Sequence, residues 1–336
     1  MKRLLLLLAL ALPLFAQTQY TITPNRGPVT GGTEVTIKGE FGLWPYGVIF
    51  GDISVPATRV DATTLVATTP RHLPGEVNVT IFEYDIGIAT GLKFTFEGEP
   101  EAAFERLLLP VFTEPVPGAF GSEFRTELTM RLAGGSTALI EGFYFQCVVT
   151  CIELGPRQVL LTTSDPELPD NIAYAGAPGS FLYVPKGDAD HLAANLRVFD
   201  TSRSAENFGT EIPIVREREF TEGPDDSITL LGIPSDPRFR NTLRIYSDSE
   251  SGVEAVVEIE GAGVSESHRV TLRRGTTLFE PGYAQFSNFP TGVGPLRVRI
   301  SPVTVPIPTP APLRLWAFVS VTNNETQHIT TITPQP

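Results

Sequence analysis

Apolar and polar residues alternate in short runs along most of this chain, and glycine- and proline-rich stretches separate the runs. Period-two alternation of this kind marks half-buried β-strands. It appears in "QYTIT" (19–23), "TEVTIKG" (33–39), "YGVIFG" (46–51), "TTLVATTP" (63–70), "GEVNVTIF" (75–82) and "GLKFTF" (91–96). In each, one set of alternate residues is apolar: Val35 and Ile37, Val48 and Phe50, Leu65 and Ala67, Val77, Val79 and Ile81, then Leu92, Phe94 and Phe96. Some seven short strands in about eighty residues predict a β-sandwich of immunoglobulin type. Glycines such as Gly31, Gly32, Gly39, Gly51, Gly75 and Gly91 bound the runs, where the absence of a Cβ permits left-handed turns.

The first residues follow a different pattern. Met1-Lys2-Arg3 and the apolar run Leu4 to Phe15 have the layout of a signal peptide over 1–16. The run is broken by Pro13 and falls short of the about 20 apolar residues of a membrane span, so export with cleavage after Ala16 is expected, although Leu14 is larger than the usual residue at its position. No cysteine follows the run to carry a lipid anchor. The mature chain is thus expected to be secreted or on the cell surface, extracellular or periplasmic, with no membrane span.

The residues of the first module carry a resemblance. "PNRGPVTGGTEVTIKG", then "VIFG", "TTLVATTP" and "LPGEVNVTI", in this order and spacing, resemble an IPT/TIG domain. The resemblance covers 19–97. It implies an immunoglobulin-like fold, an extracellular interaction or spacer role and no catalytic residue.

After the acidic, small-residue stretch "EGEPEAAFE" the chain repeats itself at an offset of 115 residues. "FRTEL" (124–128) recurs as "FRNTL" (239–243), and "TALIEGFYF" (137–145) is set against "GVEAVVEIE" (252–260). More loosely, 195–215 has the outline of 315–334, a strand, a polar turn and a last strand. Two β-sandwich units over 101–219 and 220–336 are therefore expected, with a single large sandwich as the rival. Were they copies, Phe124 and Phe239 would begin equivalent strands, Leu128 and Leu243 would point into separate cores, and Arg125 and Arg240 would be partly exposed beside carboxylates. The five prolines of "SPVTVPIPTPAPL" (301–313) predict a stiff extended connection, not an inner strand.

Composition agrees with an all-β chain and narrows the partners. Thirty glycines and thirty prolines among 336 residues suit many turns. A net charge of −13 opposes binding to nucleic-acid phosphates, which rests on lysine and arginine clusters. The two cysteines, Cys147 and Cys151, lie four residues apart. Along one extended strand their Cα atoms would sit roughly 13 Å apart, too far for a disulfide, so a bridge needs a turn at Val148-Val149-Thr150. Disulfide, free thiols and a metal site all stay open, the last without His ligands nearby.

Candidate chemistry is sparse. His72, His191, His268 and His328 sit in polar turn or strand-edge contexts that predict solvent exposure, and no nucleophile elbow or zinc-binding helix organises them. Acidic loops with Asp188 and Asp190, Asp225 and Asp226, and Asp248 and Glu250 offer oxygen ligands for calcium but also suit ordinary solvated turns. No cofactor is expected, no metal is assigned, and the chain reads as non-enzymatic. In "LRLWAFVSV", Trp316 and Phe318 share a face opposite Leu315, Ala317 and Val319; they are either core or an exposed binding platform. Trp44 and Tyr46 form a second aromatic pair, Trp44 in an inter-strand loop. The expected role is adhesion or interaction with an extracellular protein or glycan; the alternative is a carbohydrate-binding or accessory module of a polysaccharide-processing system.

Overall fold

A computed structural model describes residues 20–43, 46–51, 53–83, 86–112, 115–132, 138–147, 151–161, 172–173, 179–202, 209–221, 226–248, 253–273, 277–303 and 314–334. These residues form strands and short 3-10 turns, with no α-helix among them. Contacts divide the chain into Met1–Ala103 and Phe104–Pro336.

The first unit contains β1 (Thr21–Thr23), β2 (Arg26–Pro28), β3 (Glu34–Lys38), β4 (Tyr46–Phe50), β5 (Ile53–Asp61), β6 (Thr64–Thr68), β7 (Gly75–Glu83) and β8 (Ile86–Glu97). They are hydrogen-bonded in the order β1-β3-β6-β5-β4-β7-β8-β2, antiparallel except for β2 against β8. The alternation fixes the inside: Val35, Ile37, Val48, Phe50, Leu65, Ala67, Val79, Ile81, Leu92, Phe94 and Phe96 are all buried. Three of the phenylalanines, Phe50, Phe94 and Phe96, meet edge to face with ring centroids 4.9–6.3 Å apart. The glycine cluster of 23–42 also has a specific cause at Gly31. Its φ is 71°, and a Cβ there would lie 2.5 Å from the Pro70 backbone, so the two loops meet only because residue 31 has no side chain.

The second unit has two sets of sheets. Residues 104–216 supply β9 (Phe104–Pro110), β10 (Val116–Pro117), β11 (Glu123–Leu132), β12 (Ala138–Cys147), β13 (Cys151–Leu161), β14 (Ile172–Ala173), β15 (Gly179–Pro185), β16 (Leu192–Asp200), β17 (Thr210–Ile212) and β18 (Val215–Arg216). One sheet runs β13-β12-β15-β9-β18, with β14 beside β12; the other runs β10-β11-β16-β17. Residues 228–332 supply β19 (Ile228–Ile233), β20 (Phe239–Ser247), β21 (Val253–Gly261), β22 (Val264–Leu272), β23 (Gly282–Phe286), β24 (Leu296–Val303), β25 (Leu315–Asn323) and β26 (Ile329–Ile332). Here the orders are β22-β21-β24-β19 and β23-β20-β25-β26.

The two sets follow one plan. In each, the hairpin β12–β13 or β21–β22 is followed in its sheet by β15 or β24 and then by β9 or β19. The second sheet of each is built around a central pair, β11–β16 or β20–β25, flanked by a last strand, β17 or β26. The register repeats too. Phe124, Leu128 and Leu132 pair with Asp200, Leu196 and Leu192, while Phe239, Leu243 and Ser247 pair with Asn323, Val319 and Leu315. Since register sets which face each residue takes, equal register gives equal inward and outward positions. Leu243 lies in a core made wholly of residues from 228–332, between the sheets of that set, and the buried Leu128 is not part of it.

The second set does not stand alone. On β25 every residue from Leu315 to Thr322 is buried, so both faces of this strand are covered. Residues of the first set reach the second directly: the Val111 N–H donates to the Tyr246 hydroxyl at 3.1 Å, and the Phe181 N–H donates to the Phe279 carbonyl at 2.7 Å. The Tyr183 hydroxyl donates to the Leu278 carbonyl at 2.8 Å. Gly179, at φ 140°, leaves room for the Tyr246 ring, whose Cε1 would be 2.8 Å from a Cβ.

Only the beginning of the proline-rich stretch, residues 301–303, is described, and it differs from the expectation. β24 is an inner strand and continues through Pro302 to Val303. Proline is tolerated there because β19 pairs only with Leu296–Ile300, so beyond Ile300 that side of β24 is an edge and needs no donor. Residues 304–313 lie outside the described part.

Candidate functional site

The outward face of β20 and β25 is where the second unit concentrates polar and aromatic side chains under cover. Arg240, Thr242 and Arg244 alternate along β20, and Phe318, Ser320 and Thr322 along β25. They form one wall of a cavity of about 340 Å³. The opposite wall comes from the inward face of β11, β16 and β17, through Phe124, Thr126, Val198 and Ile212. Exposed Val116 and Pro117 on β10 also line it.

The electrostatics of this cavity are one-sided. Among the described residues, both charged groups in its wall are arginines and no carboxylate lines it. Arg240 is held by neutral oxygens, donating to Asn324 Oδ1 at 3.1 Å and Gln327 Oε1 at 2.6 Å, and its guanidinium lies 5.9 Å from the Phe120 ring centroid. Burial lowers its pKa. Arg244 donates through Nη1 to Ser320 Oγ at 2.5 Å and lies 5.8 Å from the Phe318 ring centroid, while its buried Nε has no acceptor. The Tyr283 hydroxyl is a further partner of Arg244; burial raises that phenol's pKa and the arginine opposes the shift.

A second charged cluster joins the two sets of sheets, and each of its charges faces an opposite one. Glu217 lies 2.7 Å from Arg106 and 3.2 Å from Arg314, and Asp248 lies 3.5 Å and 3.1 Å from the same two arginines. Burial pushes the Asp248 carboxyl up to about 6, against the pull of Arg314 and Arg106. Nearby, Arg216 grips both oxygens of Glu105 at 2.6 and 2.7 Å and also meets Asp190. Both partners raise the Arg216 pKa. Asp190 and Asp248, read as possible calcium ligands, thus face guanidinium groups, which serve as their counter-ions. Asp226 and Asp188 are described and have partners, and Asp225 and Glu250 lie outside the described residues.

The sequence-predicted site residues are scattered. Trp316 is 4% exposed and Phe318 0%, so they do not form a surface platform; Phe318 borders the cavity. Tyr46 is buried, its hydroxyl donating to Glu83 Oε1 at 3.3 Å, and Trp44 lies outside the described residues. The register of β12 and β13 sets Cys147 directly opposite Cys151, with 148–150 outside the described residues. Two expectations are corrected. His72 is 3% exposed, not on the surface: it stacks on Phe96 with centroids 4.7 Å apart, and its Nδ1 lies 2.8 Å from the Leu73 carbonyl. Among the described residues Arg240 pairs with no carboxylate: the face it occupies is roofed by the first set of sheets, and its hydrogen-bond acceptors are the amide oxygens of Asn324 and Gln327. The sequence reading missed the cavity as a whole; the one available signal was the mixture of arginine, hydroxyl and aromatic residues on neighbouring outward positions.

Residues 18–96 match the family model of the IPT/TIG domain, a non-catalytic immunoglobulin-like module often used in adhesion or interaction. No curated protein matches the chain. Among the described residues no helix is long and apolar enough to cross a membrane.

Proposed function

We propose that this chain is a non-enzymatic secreted or cell-surface interaction protein, in which rigid β-sandwich units present loops to an extracellular protein. The observation that carries this reading is the IPT/TIG match at 18–96 on a chain built of strands throughout its described length. The signal-like residues 1–16 support export. Burial of Tyr46, Trp316 and Phe318 withdraws three of the four aromatic residues on which a glycan platform would rest, and so favours a protein partner over a sugar. Leu43, 87% exposed in the loop that precedes β4, is an apolar contact such a partner can use.

The test is a screen of the full chain against glycan and extracellular-matrix protein arrays, with and without calcium. Saturable binding to a protein, unchanged by a calcium chelator and weakened by Leu43→Ser, is the expected result. Binding to glycans alone, or turnover of a polysaccharide, would overturn it. In an oxidising exterior, the paired register of Cys147 and Cys151 brings their Cα atoms within disulfide range, since directly opposed antiparallel residues lie about 4.5–5.5 Å apart. A bridge is therefore expected, and titration of the denatured, unreduced exported protein should find no free thiol; two free thiols would refute it.

A further inference from the structure

The cavity between β11–β16–β17 and β20–β25 carries two arginines and, among the described residues, no anion. Arg240 and Arg244 are half-buried, and taking a cation even partly out of water without a counter-charge has a cost. Arg240 and Arg244 make no ion pair among the described residues, and what they do contact is neutral. Arg244 leans toward Ser320, whose residue pairs with Thr242 midway along the cavity wall, so its guanidinium is drawn toward the middle of the space. Its Nε–H is buried and lacks an acceptor. The rest of the lining divides by type: hydroxyls at Thr126, Thr242 and Ser320, and apolar groups at Phe124, Val198 and Ile212.

From this we infer that the cavity is a binding site for a small organic carboxylate with an apolar body. The carboxylate meets the guanidinium of Arg244 where that residue lines the cavity, with Arg240 adding positive potential from the far end of the same wall, and the apolar body lies against Phe124, Val198 and Ile212. A volume of about 340 Å³ is at the small end of ligand pockets, which run from about 300 to 1,000 Å³ and are mostly apolar with a few placed polar groups. Arginine suits the role because its planar donors match carboxylate geometry and its charge is permanent. The first set of sheets shows the contrast at matching positions: there the equivalents of Arg240, Thr242 and Arg244 are Arg125, Glu127 and Thr129, all exposed on an open face. Ligand capture here needs no extracellular protein partner, so loss of either activity leaves the other measurable.

The experiment is calorimetric titration of the full chain with 3-phenylpropionate and octanoate, each compared with its neutral amide. Saturable binding of at least one acid is expected, with the matching amide at least about 10-fold weaker, since a charge-assisted hydrogen bond is worth about 1.5–3 kcal/mol and 1.4 kcal/mol is tenfold. Arg244→Gln should weaken the acid by about 10-fold or more, Arg240→Gln by less, and Arg125→Gln not at all. Phe124→Trp, which fills the apolar end while leaving both arginines in place, should also abolish binding, and it decides the matter if Arg244→Gln fails to fold. No saturable binding of either acid, equal binding of acid and amide, or unchanged binding in both Arg244→Gln and Phe124→Trp would overturn the assignment.

Discussion

Glu127 and Thr242 occupy the same register position in two strands of the same plan, yet one faces solvent and the other faces a cavity. The same holds for their neighbours. On β11 the outward residues Arg125, Glu127 and Thr129 are exposed, whereas on β20 the outward face ends in Tyr246, which is fully buried. On the partner strands, Ala193 and Asn195 of β16 stand where β25 has Trp316 and Phe318. Two sandwiches that share an arrangement of seven strands, but not the edge strands β10 and β23, thus differ in how many of their faces are covered. The lesson is that a central strand becomes buried on both sides where aromatic residues, Trp316 and Phe318, stand at outward positions that hold Ala193 and Asn195 in the other set, while the register is kept.

The comparison is most open to attack at Phe318. Phe318→Ala should cost about 3 kcal/mol by chemical denaturation, at the low end of such truncations because a cavity already adjoins the ring, while Asn195→Ala at the matching position should change stability by no more than about 0.5 kcal/mol. Equal costs would mean that the two faces are alike.

A smaller effect comes from Asp248, beside the same covered face. Its folded-state pKa, about 6, is above the ordinary value of 3.8, so the folded protein holds its proton more tightly than the unfolded one. The resulting stabilisation is complete below about pH 4 and is lost as pH rises through about 6. Melting curves between pH 4 and 7 should show this decline, on the order of 1–3 kcal/mol, and Asp248→Asn should remove it. The opposite slope in the wild type, or a slope unaltered in the variant, would refute the assignment. Smallest is Tyr246→Phe, which leaves the Val111 N–H without its acceptor and should cost about 1–2 kcal/mol. A neutral outcome would show that the junction does not depend on this bond.

How far the sequence revealed this arrangement differs between the regions. In the first unit nearly everything was legible, because Val35, Ile37, Phe50 and Phe94 alternate with polar residues and turn-forming glycines separate the runs. The pattern missed two strands: β2, the three residues "RGP", too short and too polar to alternate, and β5, "ISVPATRVD", which carries Pro56 and few large apolar residues and has no buried side chain. In the second unit the repeat of "FRTEL" as "FRNTL" located β11 and β20 and the alternation oriented them. Neither could show that the outward face of β20 is roofed, since Arg240, Thr242 and Arg244 look the same on a solvent face and in a polar cavity. What covers them is residues 28 or more positions away in sequence, such as Ile212, Val198 and Phe124. His72 was misread for a similar reason: its polar neighbours suggested surface, while a long-range stack on Phe96 holds it inside.

The central claim is that residues 104–336 are two sandwiches of one plan joined into a single unit by the covered face of β20 and β25. Hydrogen exchange of the full chain, followed by mass spectrometry across a denaturant series, tests it most directly. If the claim holds, peptides from β11 and β16 and peptides from β20 and β25 lose protection together, at one denaturant concentration. If the peptides of 228–332 open at a clearly different concentration from those of 104–216, the two sandwiches are independent and the covered face does not join them.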